Sequence, residues 1–282
     1  MAVWIDGKAL AAKIKAQVRE EAAALPAQPV LAVVLVGEDP ASQIYVRGKE
    51  RDCAECGIRS LAHRLPADTR QEDLMALIQA LNNDPAADGI LVQLPLPRGL
   101  DQRPVLEAIR PDKDVDCFHP LNVGKMTLGR EGFRPCTPAG VMEMLKAYDI
   151  PVRGKRCVVI GRSSLVGQPL ASLLTQADGT VTLCHSRTEN LAEHTRQADI
   201  LVSAVGRPGL VTGDMVKEGA AVIDVAINRG ENGKLRGDVD FEAVEKKAAF
   251  ITPVPGGVGP MTRAMLMRGV LYAARLHQAQ EV

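Results

Sequence analysis

The sequence predicts an α/β protein, and three observations carry that expectation. Short, fully apolar runs rich in β-branched residues, such as Val30 to Val36 and Cys157 to Ile160, have the character of buried parallel strands. These runs alternate with stretches of helical apolar spacing, the order that builds a parallel sheet with flanking helices. The 282 residues suffice for two cores of ordinary size, and three strand–turn–helix units follow in quick succession after residue 140. The expected architecture is two domains around a cleft.

Taken in order, Asp6 is placed to cap a first helix over 6–25, in which Leu10, Ile14, Val18 and Ala22 recur every fourth position until Pro26 and Pro29 end it. Val30 to Val36 is a strand, Gly37 to Pro40 its turn, and 41–56 a helix closing near Gly57. On that helix Ser42, Tyr45 and Lys49 fall at i, i+3 and i+7 and share one face. The face begins just past the carboxyl end of a parallel strand, where open α/β sheets place ligands. A hydroxyl, a phenol and an ammonium together suit proton transfer, although spacing alone favours a solvated lysine beside a packed tyrosine. Cys53-x-x-Cys56 has no second pair at zinc spacing and no thioredoxin-like context, so it reads as packed thiols, and no metal site is expected.

An apolar segment near Leu61 precedes a helix over 71–82, with Leu74, Leu77, Ile78 and Leu81 on one stripe. Residues 88–97 form the next strand and its exit. Gln93 interrupts it as a polar residue that either ties down a loop or faces a ligand. A short helix over 103–109 leads to a loop at 111–120 with carboxylates at alternate positions, but without the glycine and distant glutamate of a calcium loop. Thr137 is expected to cap a helix running through Leu145, with Pro138 at its first position.

The stretch from Cys157 to Leu174 is the most informative. A buried strand runs straight into Gly161, then Arg162, Ser163, Ser164 and Gly167, and then a helix. Strand, glycine turn and helix aim backbone N–H groups and a positive helix end at a phosphate, which makes the C-terminal domain Rossmann-like: a parallel sheet with flanking helices. Ser163 stands where a middle glycine is usual, so the motif match is loose, and close helix–strand packing alone also accounts for the two glycines. The second strand, 181–184, ends in His185-Ser186-Arg187 with no acid until Glu189. An NAD site carries a carboxylate there. Hydroxyl and cation, with Arg162 as a further donor, suit a 2′-phosphate and point to NADP. Further strands are expected at 198–204 and 220–225, a helix at 241–247, a constrained loop at 251–262 and a last helix over 263–277.

Lys plus Arg equals Asp plus Glu at 34 each, and aromatics are 3%, so neither the field nor the stacking surface of a nucleic-acid or membrane binder is present. Asp6 interrupts what would be a signal core, and the apolar runs are far short of a membrane span. Six dispersed cysteines fit reduced thiols in the cytoplasm.

With these segments in place, the chain resembles the bifunctional methylenetetrahydrofolate dehydrogenase and methenyltetrahydrofolate cyclohydrolase family over essentially its whole length. The resemblance rests on ASQIYVRGKERDCAECGI (41–58), GILVQLPLP (89–97), KDVDCFHPLNVGKM (113–126), PCTPAG (135–140), GRSSLVGQP (161–169), CHSRT (184–188) and TPVPGGVGPMT (252–262). It implies oxidation of 5,10-methylenetetrahydrofolate with NADP, then hydrolysis to 10-formyltetrahydrofolate, in the one-carbon metabolism that feeds purine biosynthesis. It further implies Lys49 as the central catalytic lysine, Tyr45 as its partner near the pterin, Gln93 as the amide bonded to that lysine and Asp116 as the carboxylate on the pterin's amino-pyrimidine edge. Ser42, Pro255, Gly256 and Gly257 are implied to border the folate, and Gly161, Arg162, Ser163, Ser186 and Ile227 to hold NADP, with His185 nearby. Asp116 is expected on the pterin side and not against Lys49, because an adjacent carboxylate would oppose the lowered lysine pKa that general-base work requires. The implied domains are 1–139, with 263–282 returning to it, for folate chemistry, and 140–262 for NADP; the implied assembly is a homodimer. The rival reading is an NADP-dependent dehydrogenase of the shikimate-dehydrogenase-like two-domain plan, and a second is a dinucleotide sensor without catalysis.

Overall fold

A computed structural model describes residues 1–230 and 233–280. In chain order the elements are β1 (Val3–Trp4), α1 (Gly7–Ala23), β2 (Val30–Val36), α2 (Pro40–Glu55), β3 (Arg59–Leu65), α3 (Gln71–Asn83), β4 (Gly89–Val92), α4 (Gln102–Ala108), α5 (Pro120–Thr127) and α6 (Cys136–Ala147). There follow β5 (Arg156–Ile160), α7 (Gly167–Gln176), β6 (Thr180–Cys184), α8 (Leu191–Thr195), β7 (Ile200–Ser203), β8 (Ala221–Asp224), β9 (Asn228–Arg229), β10 (Leu235–Arg236), α9 (Phe241–Glu245), β11 (Phe250–Ile251) and α10 (Val258–Gln280).

The chain forms two compact units. One comprises Met1–Ala12 and Pro135–Thr262, the other Lys13–Arg134 and Arg263–Val282. The first is built on a six-stranded, all-parallel sheet of order β1-β11-β8-β7-β5-β6. Its central strands β5, β7 and β8 are buried almost throughout, which is why they read as continuous apolar runs. The first twelve residues, which the sequence assigns to the N-terminal domain, pack in this unit because Val3 and Trp4 pair in parallel with Phe250 and Ile251. A two-residue pairing across the whole chain length leaves no periodic signal.

The second unit holds a three-stranded parallel sheet of order β3-β2-β4. β2 is central and buried at every residue, whereas β3 is an edge strand with alternating exposure, so its sequence RSLAHRL shows only a weak apolar segment. Leu74, Ile78 and Leu81 of α3 pack with Val34, Ile90 and Val105 in its core.

Three boundaries differ from the sequence expectation. α5 occupies part of the segment after the 111–120 loop; Pro120 is its first residue and the His119 ring nitrogen accepts the Leu121 N–H. α6 begins at Cys136, so Thr137 lies inside its first turn rather than capping it, and its hydroxyl instead shares a 2.9 Å hydrogen bond with Thr262. α10 begins at Val258, five residues early; Pro260 is accommodated because first-turn N–H groups have no intrahelical acceptor. Asp6, by contrast, caps α1 as expected, accepting the Ala9 N–H at 2.9 Å.

Candidate active site

In the three-stranded unit, α2 starts where Asp39 accepts the Ser42 N–H at 2.7 Å and Pro40 presets the first turn. That backbone N–H holds the Asp39 carboxyl below its usual range. Along the helix Ser42 is buried, Tyr45 is 44% exposed and Lys49 is half-buried. Lys49 Nζ donates to Gln93 Oε1 at 3.1 Å. Gln93 follows β4, and its backbone N–H donates to Val34, continuing the ladder of the central strand. Its side-chain Nε2 donates to the Leu94 carbonyl at 2.6 Å, which turns the amide oxygen toward the lysine. The amide thus both ties down its loop and faces Lys49.

The alternate carboxylates of the 111–120 loop have three different surroundings. Asp112 pairs with Arg110 at 2.6 Å and His277 at 3.3 Å. Asp114 is buried and accepts the Phe118 and His119 N–H groups and the Asn122 amide; burial pushes its carboxyl up. Asp116 is half-buried between buried Val115 and Cys117. Next to them Lys113 is buried with its ammonium donating to the carbonyls of Leu81 (3.1 Å) and Asp84 (2.6 Å) at the end of α3, and burial lowers its pKa. Lys113 and Asp114, which the sequence reading passed over, therefore fix the backbone that presents Asp116. In the sequence they stand among other charges, Arg110, Asp112 and Asp116, so nothing marks them apart from a solvated loop.

Cys53 and Cys56 are fully buried, and burial pushes both thiols up to about 12, so neither is a thiolate at neutral pH.

In the parallel-sheet unit the glycine turn is close-packed. Gly161 has φ +116°, and a Cβ there would lie 2.4 Å from the Ala204 carbonyl oxygen. A Cβ on Gly167 would lie 1.9 Å from the carbonyl oxygen of Gly161. The Gly161 N–H donates to Cys184, which ties the turn to the end of β6. Ser163 Oγ accepts the N–H groups of Val166 (3.2 Å) and Gly167 (3.4 Å) at the start of α7. The middle residue of the motif therefore ties the turn to the start of α7 while retaining its own hydroxyl proton as a donor. After β6, His185 N–H donates to Thr188 Oγ1 and His185 Nδ1 accepts the Arg187 N–H at 3.1 Å, so the ring is part of a tight turn. Arg162, Ser186 and Arg187 are exposed.

Ile227 is 40% exposed beside Gly259, where a Cβ would lie 3.1 Å from its Cδ1. Pro255 is exposed, Gly256 has φ +108° and Gly257 is buried against α1, where a Cβ on Gly7 would lie 1.9 Å from its carbonyl oxygen. Two buried carboxyls that the sequence reading missed hold the neighbouring loops. Asp238 accepts hydrogen bonds from the Ser203 hydroxyl and from the Val205, Gly206 and Arg207 N–H groups, and Asp224 from those of Ala226, Asp238 and Val239.

A parallel sheet with a glycine turn at a strand end, joined in one chain to a second α/β unit bearing a lysine–amide pair, defines a two-domain dinucleotide-binding α/β protein. Residues 5–116 match the model of the tetrahydrofolate dehydrogenase/cyclohydrolase catalytic domain, and residues 135–278 that of the corresponding NAD(P)-binding domain. The bifunctional protein FolD of Desulfovibrio desulfuricans is 59% identical, covering 98% of this chain and 99% of that protein. Among solved structures, the bifunctional FolD enzyme of Campylobacter jejuni is 52% identical with a TM-score of 0.96, covering 98% of this chain and 99% of that one. The Trypanosoma brucei dehydrogenase–cyclohydrolase, complexed with NADP and an inhibitor, is 43% identical with a TM-score of 0.93, covering 98% of each chain. The chain belongs to the tetrahydrofolate dehydrogenase/cyclohydrolase family. Shikimate dehydrogenase of Aquifex aeolicus, 15% identical with a TM-score of 0.52, shares the fold alone.

Proposed function

We propose that this protein oxidises 5,10-methylenetetrahydrofolate to the 5,10-methenyl cation with NADP and then hydrolyses the cation to 10-formyltetrahydrofolate. The observation that carries the reading is the Lys49–Gln93 hydrogen bond, on the face shared with Tyr45, inside the segment that matches the catalytic-domain model. A shikimate-like dehydrogenase gives Tyr45, Lys49 and Gln93 no task.

NADP, when bound, accepts the hydride. Residues suited to hold it are present: a glycine turn with no room for a Cβ, the Ser163 hydroxyl and the exposed Arg162, Ser186 and Arg187, with no carboxylate in the 185–188 turn to repel a 2′-phosphate. Gly161 and Ser163 are assigned to the bridging phosphates, Arg162 and Ser186 to the 2′-phosphate and Ile227 to an apolar wall. In the second step water adds to the methenyl carbon and Lys49 as the neutral amine takes one water proton, giving a carbinolamine. Its C–N5 bond then breaks with the electron pair going to N5, which takes up a proton as the carbinol O–H loses its own, and the formyl group is left on N10. The bond to Gln93 occupies one lysine N–H and leaves the lone pair for the proton. Tyr45 and Ser42 orient the lysine and the pterin, Asp116 binds the amino-pyrimidine edge, and Pro255, Gly256 and Gly257 border the folate.

The folate domain on this reading comprises 1–139 with 263–282, and the NADP domain 140–262; apart from the first twelve residues and a few at the boundary, this follows the two packed units. The working form is a homodimer in the cytoplasm, feeding purine biosynthesis and binding neither nucleic acid nor membrane; among the described residues no helix is long and apolar enough to cross a bilayer.

The test is a paired spectroscopic assay of NADPH formation and methenyl-cation decay. Wild type is expected to show both, and Lys49→Met to lose cation hydrolysis by roughly 10²–10⁴-fold, the usual worth of a general base. NADPH formation with persistent cation in wild type would leave a dehydrogenase only, and silence with folate would remove the assignment.

A further inference from the structure

The stripe of α2 that carries Ser42, Tyr45 and Lys49 continues, at the same spacing, to Asp52. That carboxylate is 2% exposed. It is met from two other elements of its unit: Lys15 of α1 reaches Oδ1 at 3.0 Å, and Arg263 of α10 faces Oδ2 at 3.3 Å. Lys15 also bonds Glu55, one turn further along α2. Oδ2 has no directed hydrogen bond among the described residues, so the Arg263 contact is an ion pair held by charge and packing.

The guanidinium also packs onto the backbone of α2. A Cβ added to Gly48 would lie 2.6 Å from Arg263 Nη1. Arg263 therefore spans the turn from Gly48 to Asp52, the turn that contains Lys49. Further along α10, Gly269 sits where a Cβ would be 3.1 Å from the Val115 carbonyl oxygen, beside Asp116, and His277 Nδ1 lies 3.2 Å from Asp88, at the start of the strand leading to Gln93. One helix thus contacts the three segments that present Lys49, Asp116 and Gln93.

A buried ion pair is a poor device for stability alone, since apolar residues of the same volume commonly do as well. It is directional, and two cations on two different helices resist both rolling and sliding of α2. We infer that Asp52 and Arg263 are positioning residues for the proposed chemistry: by clamping the Gly48–Asp52 turn they hold Lys49 at its bond to Gln93. The inference rests on Lys49 as the proton acceptor.

Asp52→Asn and Arg263→Met are each expected to lower kcat for methenyl hydrolysis on the order of tenfold, the scale of a sub-ångström misplacement, with KM for NADP unchanged. Because removing one partner of a buried pair also weakens folding, Gly48→Ala is the sharper variant. It keeps every charge and improves helix propensity, but its methyl displaces the guanidinium. It is expected to lower kcat several-fold with a smaller fall in melting temperature than Arg263→Met, and Arg263→Lys in the same background, with a slimmer head, to recover much of the loss. Wild-type kcat in Gly48→Ala together with Arg263→Met would overturn the inference while leaving the Lys49 reading intact, provided Lys49→Met is inactive in parallel. Full hydrolysis by Lys49→Met would remove both.

Discussion

The two buried carboxyls beside the NADP segment, Asp224 and Asp238, stand 3% and 0% exposed. Burial pushes the Asp224 carboxyl up to about 6 and the Asp238 charge adds to the rise, against the pull of three backbone N–H bonds. The folded protein then holds the Asp224 proton more tightly than the unfolded chain. The associated stability is fully present below about pH 4, lost as pH rises toward 6 and absent above it. A shift of this size corresponds to about 2–3 kcal/mol. Urea unfolding at pH 4, 5, 6 and 7 is expected to show wild type losing about that much relative to Asp224→Asn across the range, and parallel curves would contradict it. Neither aspartate was legible beforehand: Asp224 ended an expected strand and Asp238 sat in a turn. Their role depends on partners across the sequence, such as Ser203 and Asp238 35 residues apart. Lys49 was legible as one of a face, and its weight came from the surrounding motif.

Among elements, the β5 turn and α7 show what local sequence states well. Strand, glycine and helix start fall where spacing placed them, because buried parallel strands are uniformly apolar and both glycines answer steric demands of the backbone. The starts of α6 and α10 were less legible, since Thr137 and Thr262 hydrogen-bond each other instead of capping their helices. The glycine turn gives a direct prediction. In Gly167→Ala the methyl meets the Gly161 carbonyl, backbone that cannot yield like a side chain. The turn must open, at about 1–3 kcal/mol of strain, and the phosphate donors separate. NADP affinity is expected to fall at least tenfold and the melting temperature to drop, with folate binding retained. Titration by nucleotide fluorescence checks the first, and unchanged affinity would return the glycines to a packing role.

For the whole molecule, the first twelve residues pack with the unit of Pro135–Thr262 through strand pairing with Phe250 and Ile251, although the catalytic-domain match begins at residue 5. A packing membership set by so distant a pairing is not legible along the chain. The division has a functional consequence. The residues proposed to hold NADP all belong to the unit of Met1–Ala12 and Pro135–Thr262, and Ser42, Tyr45, Lys49, Gln93 and Asp116 all belong to the other. Because the two sets belong to different packed units, their free-energy effects on ligand binding are expected to add within about 0.5 kcal/mol. At a hundredfold excess over its Kd, NADP stabilises the folded state by about 2.7 kcal/mol. Lys49→Met and Asp116→Asn are expected to keep that thermal shift in full. Arg162→Ala with Ser186→Ala is expected to lose most of it for NADP while keeping the smaller shift given by NAD, because what those residues add is recognition of the 2′-phosphate. Equal loss for both nucleotides would place them on the shared phosphates instead, and a loss of the NADP shift in Lys49→Met would show that the lysine serves the nucleotide rather than the folate.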